Sequence, residues 1–223
     1  MRVRQALSTS VGTKLLIATT GLALVGFLIG HLIGNLLLFL GPEKFNAYGH
    51  ALISNPLIIP VEIGLIAIFL LHAGKAVLNF FENRGARPQR YELKKGAGGP
   101  SRKSWASTTM IGSGLFVLAF VPFHLFTFKY GPSYPTAEPG VRDLYRLTVE
   151  VFQSPAYVVF YVFAMVIVGM HLRHGVSSSL QSLGVIPDRW TRAFLRAGLG
   201  LALVIGGGFF LIPIAIYFFI RPS

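Results

Sequence analysis

The chain has 223 residues, of which 53% are hydrophobic and only 13% are charged, and it contains no cysteine. Soluble domains usually carry about a quarter charged residues, so the composition argues against a soluble globular protein. The lack of cysteine excludes disulfides, c-type haem attachment and thiolate-bound iron–sulfur clusters within this chain.

The first apolar run, from Leu15 to Leu40, contains no Asp, Glu, Lys or Arg. About 20 apolar residues cross the core of a bilayer, so this run is long enough for a transmembrane helix. A cleaved secretory signal would have an apolar region of only roughly 7 to 15 residues. We therefore predict a transmembrane helix that is retained in the protein.

The remaining apolar runs predict four more transmembrane helices. The five helices are expected at about 14–40, 57–81, 105–128, 156–176 and 195–220. No strand pattern occurs that could hold a glycine-rich nucleotide loop. The expected fold is an all-α membrane protein, with a single transmembrane domain over residues 1–223.

Lysine and arginine are distributed unevenly between the two ends of these helices. Of the 20, 15 lie at the N-terminus, at Lys75, in the 82–104 loop or in the 173–196 segment. The other five are Lys44, Lys129, Arg142, Arg146 and Arg221. Because cytoplasmic loops carry an excess of Lys and Arg, we predict a multi-pass protein of the inner (cytoplasmic) membrane, with its N-terminus in the cytoplasm and its C-terminus outside.

The net charge of +12 has two compatible explanations. One is this cytoplasmic bias, together with attraction to anionic lipid in the bilayer. The other is a docking face for a cytoplasmic subunit in the basic segment 85–105, GARPQRYELKKGAGGPSRKSW. Neither explanation requires nucleic acid as a partner.

Five of the six histidines fall in the predicted helices, and four of them sort by depth into two levels. An α-helix rises about 1.5 Å per residue, which puts His31 and His124 roughly 25 and 27 Å from the cytoplasmic ends of their helices. By the same rise, His72 and His171 lie roughly 14 and 8 Å from those ends. We name His31 with His124 the outer pair, and His72 with His171 the inner pair.

Each pair would offer one iron two imidazole ligands from different helices, and the two irons would lie roughly 10–15 Å apart along the membrane normal. This is the arrangement of two stacked b haems, each with two axial histidines. A single buried histidine is often a structural hydrogen-bonding residue. Ionisable groups within spans are costly and usually functional, however, so four at paired depths favour haem ligation.

His171 and His174 compete for the fourth ligand position, since residues i and i+3 lie on neighbouring faces of a helix. His171 is favoured because it lies a turn deeper in the membrane. His174, beside Arg173, is expected to contact a haem propionate or to be solvated.

Several short motifs, taken in their order along the chain, resemble a known family. They are GHLIGN, FNAYGHAL, LLHAGKAV, FHLF, and SPAYVVFY followed by HLRHG. The family is the single-chain, five-helix, two-haem cytochrome b membrane subunit of succinate dehydrogenases and fumarate reductases (succinate:quinone oxidoreductase, complex II). The resemblance covers nearly the whole chain, and its specificity lies in the joint order of the motifs.

The resemblance implies a five-helix bundle around two stacked b haems, with the distal haem held by His31 and His124 and the proximal haem by His72 and His171. It also implies a flavoprotein subunit and an iron–sulfur subunit on the cytoplasmic side, where the dicarboxylate chemistry takes place. The electron acceptor would be a quinone, commonly menaquinone in this family.

Glu62 is the candidate proton-transfer residue for such a quinone. It lies ten residues before His72, which is roughly 15 Å nearer the outside. A carboxylate at the level of the outer pair could exchange protons with a quinone there, or it could simply face outer water at the helix entry. His50, Tyr48 and Asn46 are weaker candidates, because loop polarity alone explains them.

Two other functions remain compatible with the sequence. One is a cytochrome b anchor of another quinone-linked dehydrogenase. The other is a haem-free transporter in which the histidines form a proton relay, although the sequence shows no inverted repeat or paired broken helices of the kind found in many transporters.

Overall fold

The structure is a computed structural model that describes residues 9–85, 109–184 and 190–221. Within these ranges the chain forms seven α-helices, one 3₁₀ turn and no strand of a sheet. The helices are α1 Ser10–Leu36, α2 Pro42–Ile53, α3 Ile58–Gly85, α4 Met110–Phe128, α5 Leu144–Phe152, α6 Pro155–Ser182 and α7 Thr191–Phe219; the 3₁₀ turn Leu37–Leu40 follows α1.

Five of these helices, α1, α3, α4, α6 and α7, are long and apolar enough to cross a membrane. With its 3₁₀ turn, the first of these segments runs Ser10–Leu40. The prediction of an all-α membrane protein with five membrane-spanning helices is therefore confirmed. The predicted start of the third helix, 105–108, lies outside the described residues, as does the basic segment 85–105 apart from its first residue.

Helices α6 and α7 approach each other closely at two glycines. A Cβ atom placed on Gly206 of α7 would lie only 3.0 Å from the Cα atom of Gly169 on α6. Helices in lipid associate through small residues of this kind, because they let the backbones approach closely. Ala164 of α6 and Ile216 of α7 are fully buried beside this seam. Most of the buried core lies along this seam and on α1, and Phe120 of α4 and Val149 and Phe152 of α5 extend it towards the outer end.

The short helices α2 and α5 lie together at one end of the bundle. We call this the outer end, because the sequence predicts that it faces away from the cytoplasm. The buried side chain of Asn46 joins the two segments: its Nδ2 donates to Asp143 Oδ1 (2.8 Å), and its Oδ1 accepts from the backbone N of Tyr145 (2.9 Å). The segment around Asn46 was expected to be a loop. It is a helix because Gly41, at φ 101°, turns the chain and Pro42 then occupies the first helical turn, where proline is favoured.

Arg142 ties the loop before α5 to the end of α4. Its guanidinium donates to the backbone carbonyls of Lys129, Gly131 and Pro132 at 3.0, 3.0 and 2.7 Å. Lys129 is the C-cap residue of α4, and the other two carbonyls belong to the loop that follows it, so the guanidinium satisfies polar groups that have no helical partner. The outer end is thus a fixed cap on the bundle.

We predict that Gly206→Ala destabilises the protein by about 1–3 kcal/mol, the usual cost of inserting a methyl group into a well-packed site. The atom in the way is backbone, which cannot move aside as a flexible side chain can. The matched control is Gly207→Ala, since a Cβ there meets nothing within 4 Å. Thermal unfolding in detergent should show a lower midpoint for the first variant only. Equal midpoints would contradict this account of the seam.

Candidate functional site

The outer pair of histidines meets inside the bundle. The ring centroids of His31 on α1 and His124 on α4 are 5.8 Å apart, and their planes are perpendicular, at 90°. His31 stacks on Phe27, with centroids 5.4 Å apart, and contacts Phe209 of α7. Aromatic neighbours of His124 are Phe120, Phe128 and Tyr161. The outer pair therefore lies in largely aromatic surroundings.

The inner pair also meets. The ring centroids of His72 on α3 and His171 on α6 are 6.5 Å apart, with an angle of 77° between the planes. His174 is half-buried one turn further along α6, and the ring that faces His72 is that of His171. The structure thus brings together the same two pairs that helical depth joined, while haem ligation itself stays a prediction.

The spacing of both pairs fits a single metal ion held between two imidazoles. Imidazole nitrogens bind first-row metals at about 2 Å, so two rings on opposite sides of one ion have centroids roughly 6 Å apart. The observed separations of 5.8 and 6.5 Å lie on either side of that value. All four histidines are also only partly buried by the protein.

The number of protein ligands that each pair can offer, two imidazoles, distinguishes between a bare metal ion and a haem. Among the described residues, no cluster of three or more His, Cys, Asp or Glu side chains could hold a metal ion. Two imidazoles alone leave most coordination positions of an ion unfilled. A haem fills four of these positions with its own macrocycle and needs only axial ligands from the protein. Two-histidine sites therefore fit haem better than a bare ion.

Three of the four rings have a hydrogen-bond partner on another helix at Nδ1. The Nδ1 of His72 lies 3.1 Å from the backbone carbonyl of Ile17 and 3.2 Å from Thr20 Oγ1. Ser113 Oγ lies 3.0 Å from His171 Nδ1, and the hydroxyl of Tyr161 lies 3.4 Å from His124 Nδ1. His31 differs: the side-chain amide of Asn35 lies 3.5 Å from both of its ring nitrogens. A metal-bound histidine commonly binds a protein group through its other ring nitrogen in this way.

Glu62 lies near the start of α3 and forms an ion pair with Lys129, just past the end of α4. The side chains keep 40% and 37% of their exposure, respectively. Glu62 is therefore a charge-paired carboxylate at the outer end with access to its surroundings. This geometry is compatible with both roles that the sequence left open.

The weaker sequence candidates lie on α2. Asn46 is buried and occupied by its bonds to α5, which gives it a structural role. The ring of Tyr48 fills the space beside Gly34 of α1, where a Cβ would lie 2.6 Å from the ring. His50 is exposed on the last turn of α2. The structure places none of the three in contact with either histidine pair.

Sequence reasoning missed the hydroxyl side chains that contact the histidines. Thr20, Ser113 and Tyr161 lie in apolar helices, and only their polar groups within a span could have drawn attention to them. It also missed a groove of about 430 Å³ at the outer end, lined in part by Phe126, Glu150 and Tyr157. The groove is formed by α4, α5, α6 and the loop between α4 and α5, so no local pattern indicates it.

The carboxylate in this groove is held in its charged form. Arg146 donates to Glu150 at 2.8 Å, and this bond, with a further one from Tyr134, keeps the pKa of Glu150 below its ordinary value. A hydrogen bond to the charged form of a group favours that form. The groove thus combines aromatic and aliphatic walls with an anionic edge.

Fold and site together define an all-helical membrane protein with two inter-helix histidine pairs, each spaced to hold one metal ion. The chain is 27% identical, over 160 residues, to the succinate dehydrogenase cytochrome b558 subunit of Bacillus subtilis (strain 168), covering 71% of this chain and 72% of that protein. No protein-family model matches the chain, and no solved structure matches it. The similarity confirms the resemblance to succinate dehydrogenase cytochrome b subunits that the motifs predicted.

Proposed function

We propose that this chain is the haem b membrane subunit of a succinate:quinone oxidoreductase, which carries electrons from an iron–sulfur subunit through two b haems to menaquinone or another quinone. The observation that carries the proposal is the spacing of the outer and inner histidine pairs. At two levels of one helical bundle, each pair has its rings at the distance that one metal ion between them would require. The similarity to a succinate dehydrogenase cytochrome b558 subunit supports it.

In this proposal the outer pair, His31 and His124, holds the distal haem, and the inner pair, His72 and His171, holds the proximal haem. When bound, each haem supplies a one-electron carrier. The chain would supply the imidazoles that hold each haem, and partners on neighbouring helices would orient those of His72, His124 and His171 through Nδ1. His174, a turn nearer the inner end, would contact a propionate of the proximal haem.

The partners proposed for this chain are a flavoprotein subunit and an iron–sulfur subunit on the cytoplasmic side. Support comes from the excess of Lys and Arg at the inner end, which by the positive-inside rule faces the cytoplasm. Dicarboxylate chemistry would belong to these partners, since the chain carries no cysteine for iron–sulfur clusters. The inner pair would then lie nearer the iron–sulfur subunit and the outer pair nearer the quinone.

Glu62 is proposed to exchange protons with the quinone at the outer end. Its carboxylate is accessible and forms an ion pair with Lys129 at this end of the bundle. A carboxylate that cycles between charged and neutral forms can serve as a general acid and base.

The first test is a haem count on the purified complex. We expect a pyridine haemochrome assay to give two b haems per chain, both reduced by succinate. His31→Ala and His72→Ala should each remove one haem, because each deletes one axial ligand of a different pair. The matched control is His50→Ala, at the exposed histidine of α2, which should keep both haems.

Three outcomes would change the assignment. A complex without haem would favour the transporter hypothesis. Two haems reduced by formate or hydrogen, but not by succinate, would indicate the anchor of another dehydrogenase. Loss of the same haem in both histidine variants would contradict the two pairs.

We also predict that Glu62→Gln lowers quinone reduction by tenfold or more, since positioned acids and bases typically contribute roughly 10²–10⁴-fold. Haem content and haem reduction by succinate should not change, because Glu62 is not in either pair. Glu43→Gln, at an exposed carboxylate of α2, is the control. An unchanged rate in Glu62→Gln would assign Glu62 to the ion pair alone.

A further inference from the structure

The ring of His72 rests on two consecutive residues of α1, Thr20 and Gly21. Thr20 Oγ1 lies 3.2 Å from Nδ1 of the ring, and the backbone carbonyl of Ile17 lies 3.1 Å from the same atom. Gly21 lies beside the next ring atom: a Cβ there would be 3.0 Å from Cε1 of His72. The glycine thus leaves room for the ring edge that the hydroxyl binds.

The ring of His171 rests on a matching pair of α4, Ser113 and Gly114. Ser113 Oγ lies 3.0 Å from Nδ1 of the ring, and a Cβ on Gly114 would be 3.3 Å from its Cε1. Both inner-pair histidines are therefore held in the same way by a neighbouring helix. We call each of these sequence pairs, Thr20-Gly21 and Ser113-Gly114, a hydroxyl–glycine cradle.

The direction of the hydrogen bonds follows from where the hydroxyl hydrogens go. A hydroxyl has one hydrogen to donate and can also accept. Thr20 donates its hydrogen to the carbonyl of Leu16 at 2.5 Å, and Ser113 donates its own to the carbonyl of Met110 at 2.9 Å. With its hydrogen in this bond to the carbonyl, each oxygen is an acceptor for the neighbouring histidine ring.

The protonation of the rings follows in turn. At His72 the Ile17 carbonyl can only accept, so Nδ1 carries the hydrogen. We assign the same tautomer to His171, with Ser113 Oγ as the acceptor at its Nδ1. A neutral imidazole has one N–H, so Nε2 of each ring carries the lone pair that binds metals. The tautomer is assigned here from the hydrogen-bond network.

We infer that the two hydroxyl–glycine cradles are positioning elements that fix His72 and His171 as Nδ1–H tautomers and leave each Nε2 free to bind the iron of the proximal haem. This inference rests on the proposed function, because haem is the group that the inner pair would hold. An acceptor at Nδ1 also raises the basicity of the ligating nitrogen and fixes the ring orientation. The cradles therefore set both the strength and the angle of ligation.

The two cradles differ in a way that the test can use. Ser113 is the partner that the described residues offer to Nδ1 of His171. At His72 the Ile17 carbonyl remains when the Thr20 hydroxyl is removed. Ser113→Ala should therefore have a larger effect than Thr20→Val.

The experiment measures haem content, the midpoint potential of each haem and its low-spin electron paramagnetic resonance signal in the purified complex. We expect Ser113→Ala to weaken retention of one haem by roughly 10–100-fold, the usual effect of losing such a partner. The potential of that haem should rise, because its axial ligand donates less charge, and its resonance signal should shift. Thr20→Val should shift the same haem less.

Matched variants separate this effect from general damage to the fold. Thr19→Val is the control for Thr20→Val, since the Thr19 hydroxyl donates to the carbonyl of Leu15 at 3.0 Å but does not contact a histidine. Ser113→Thr keeps a hydroxyl and should restore the potential and the signal towards those of the unaltered protein.

Glycine variants test the other half of the cradle. Gly114→Ala brings a methyl group within 3.3 Å of the His171 ring, whereas a Cβ on Gly112 of the same helix meets nothing within 4 Å. Gly114→Ala should therefore shift the resonance signal of the same haem that Ser113→Ala affects, and Gly112→Ala should shift neither haem.

The outcomes distinguish a failure of the hydroxyl–glycine cradles from a failure of the proposed haem-binding function. A protein with two haems whose Ser113→Ala and Gly114→Ala variants behave like the controls would overturn the cradles and leave the proposed function standing. A protein that binds no haem would overturn both. A shift confined to the haem lost in His72→Ala would support both.

Discussion

A ring nitrogen inside an apolar helical bundle needs a partner, because an unpaired polar group costs several kcal/mol in a medium without water. The centre of this protein depends on that constraint. Histidines on four helices place eight ring nitrogens within the bundle, and neighbouring helices supply oxygens to three of them at Nδ1. The rings themselves meet in two pairs, with centroids 5.8 and 6.5 Å apart, a spacing that suits a metal ion between two imidazoles. The need of the ring nitrogens for partners therefore bears on both how the helices are arranged and which groups the histidines contact.

Helix packing divides the bundle into a tight part and a loose part. Gly169 and Gly206 let α6 and α7 meet backbone to backbone, and α1 packs on them through Leu32, whose side chain fills the space beside Gly208. In contrast, no residue of α3 is buried in the described structure. His72 is thus carried by the helix with the least protein around it, so its position depends on its hydrogen bonds to α1 more than on packing.

The sequence was sufficient to predict the five membrane-spanning helices and which histidines lie together. It was not sufficient to predict the side chains that form hydrogen bonds with the histidine rings. Spans follow from the length of apolar runs, and depth follows from the fixed rise of a helix, which is why His31 could be joined to His124 in advance. The sequence gives no comparable signal for how each helix is rotated about its own axis, that is, for which of its faces points into the bundle. In a soluble protein an apolar stripe shows which face is buried, whereas here both faces are apolar. Which of Thr19 and Thr20 faces His72 could therefore not be predicted.

The two pairs differ in what surrounds them, and this difference bears on how the protein can control each centre. The inner rings are held by oxygen atoms at 3.0–3.2 Å, so in the proposed function these contacts would adjust the basicity of the imidazoles. The outer rings have longer polar contacts, of 3.4 and 3.5 Å, and lie among phenylalanine rings. Burial and local dielectric are the corresponding means of control there. If each pair holds a metal group, as proposed, the two centres can be set independently, because the polar side chains that contact one pair are not those that contact the other.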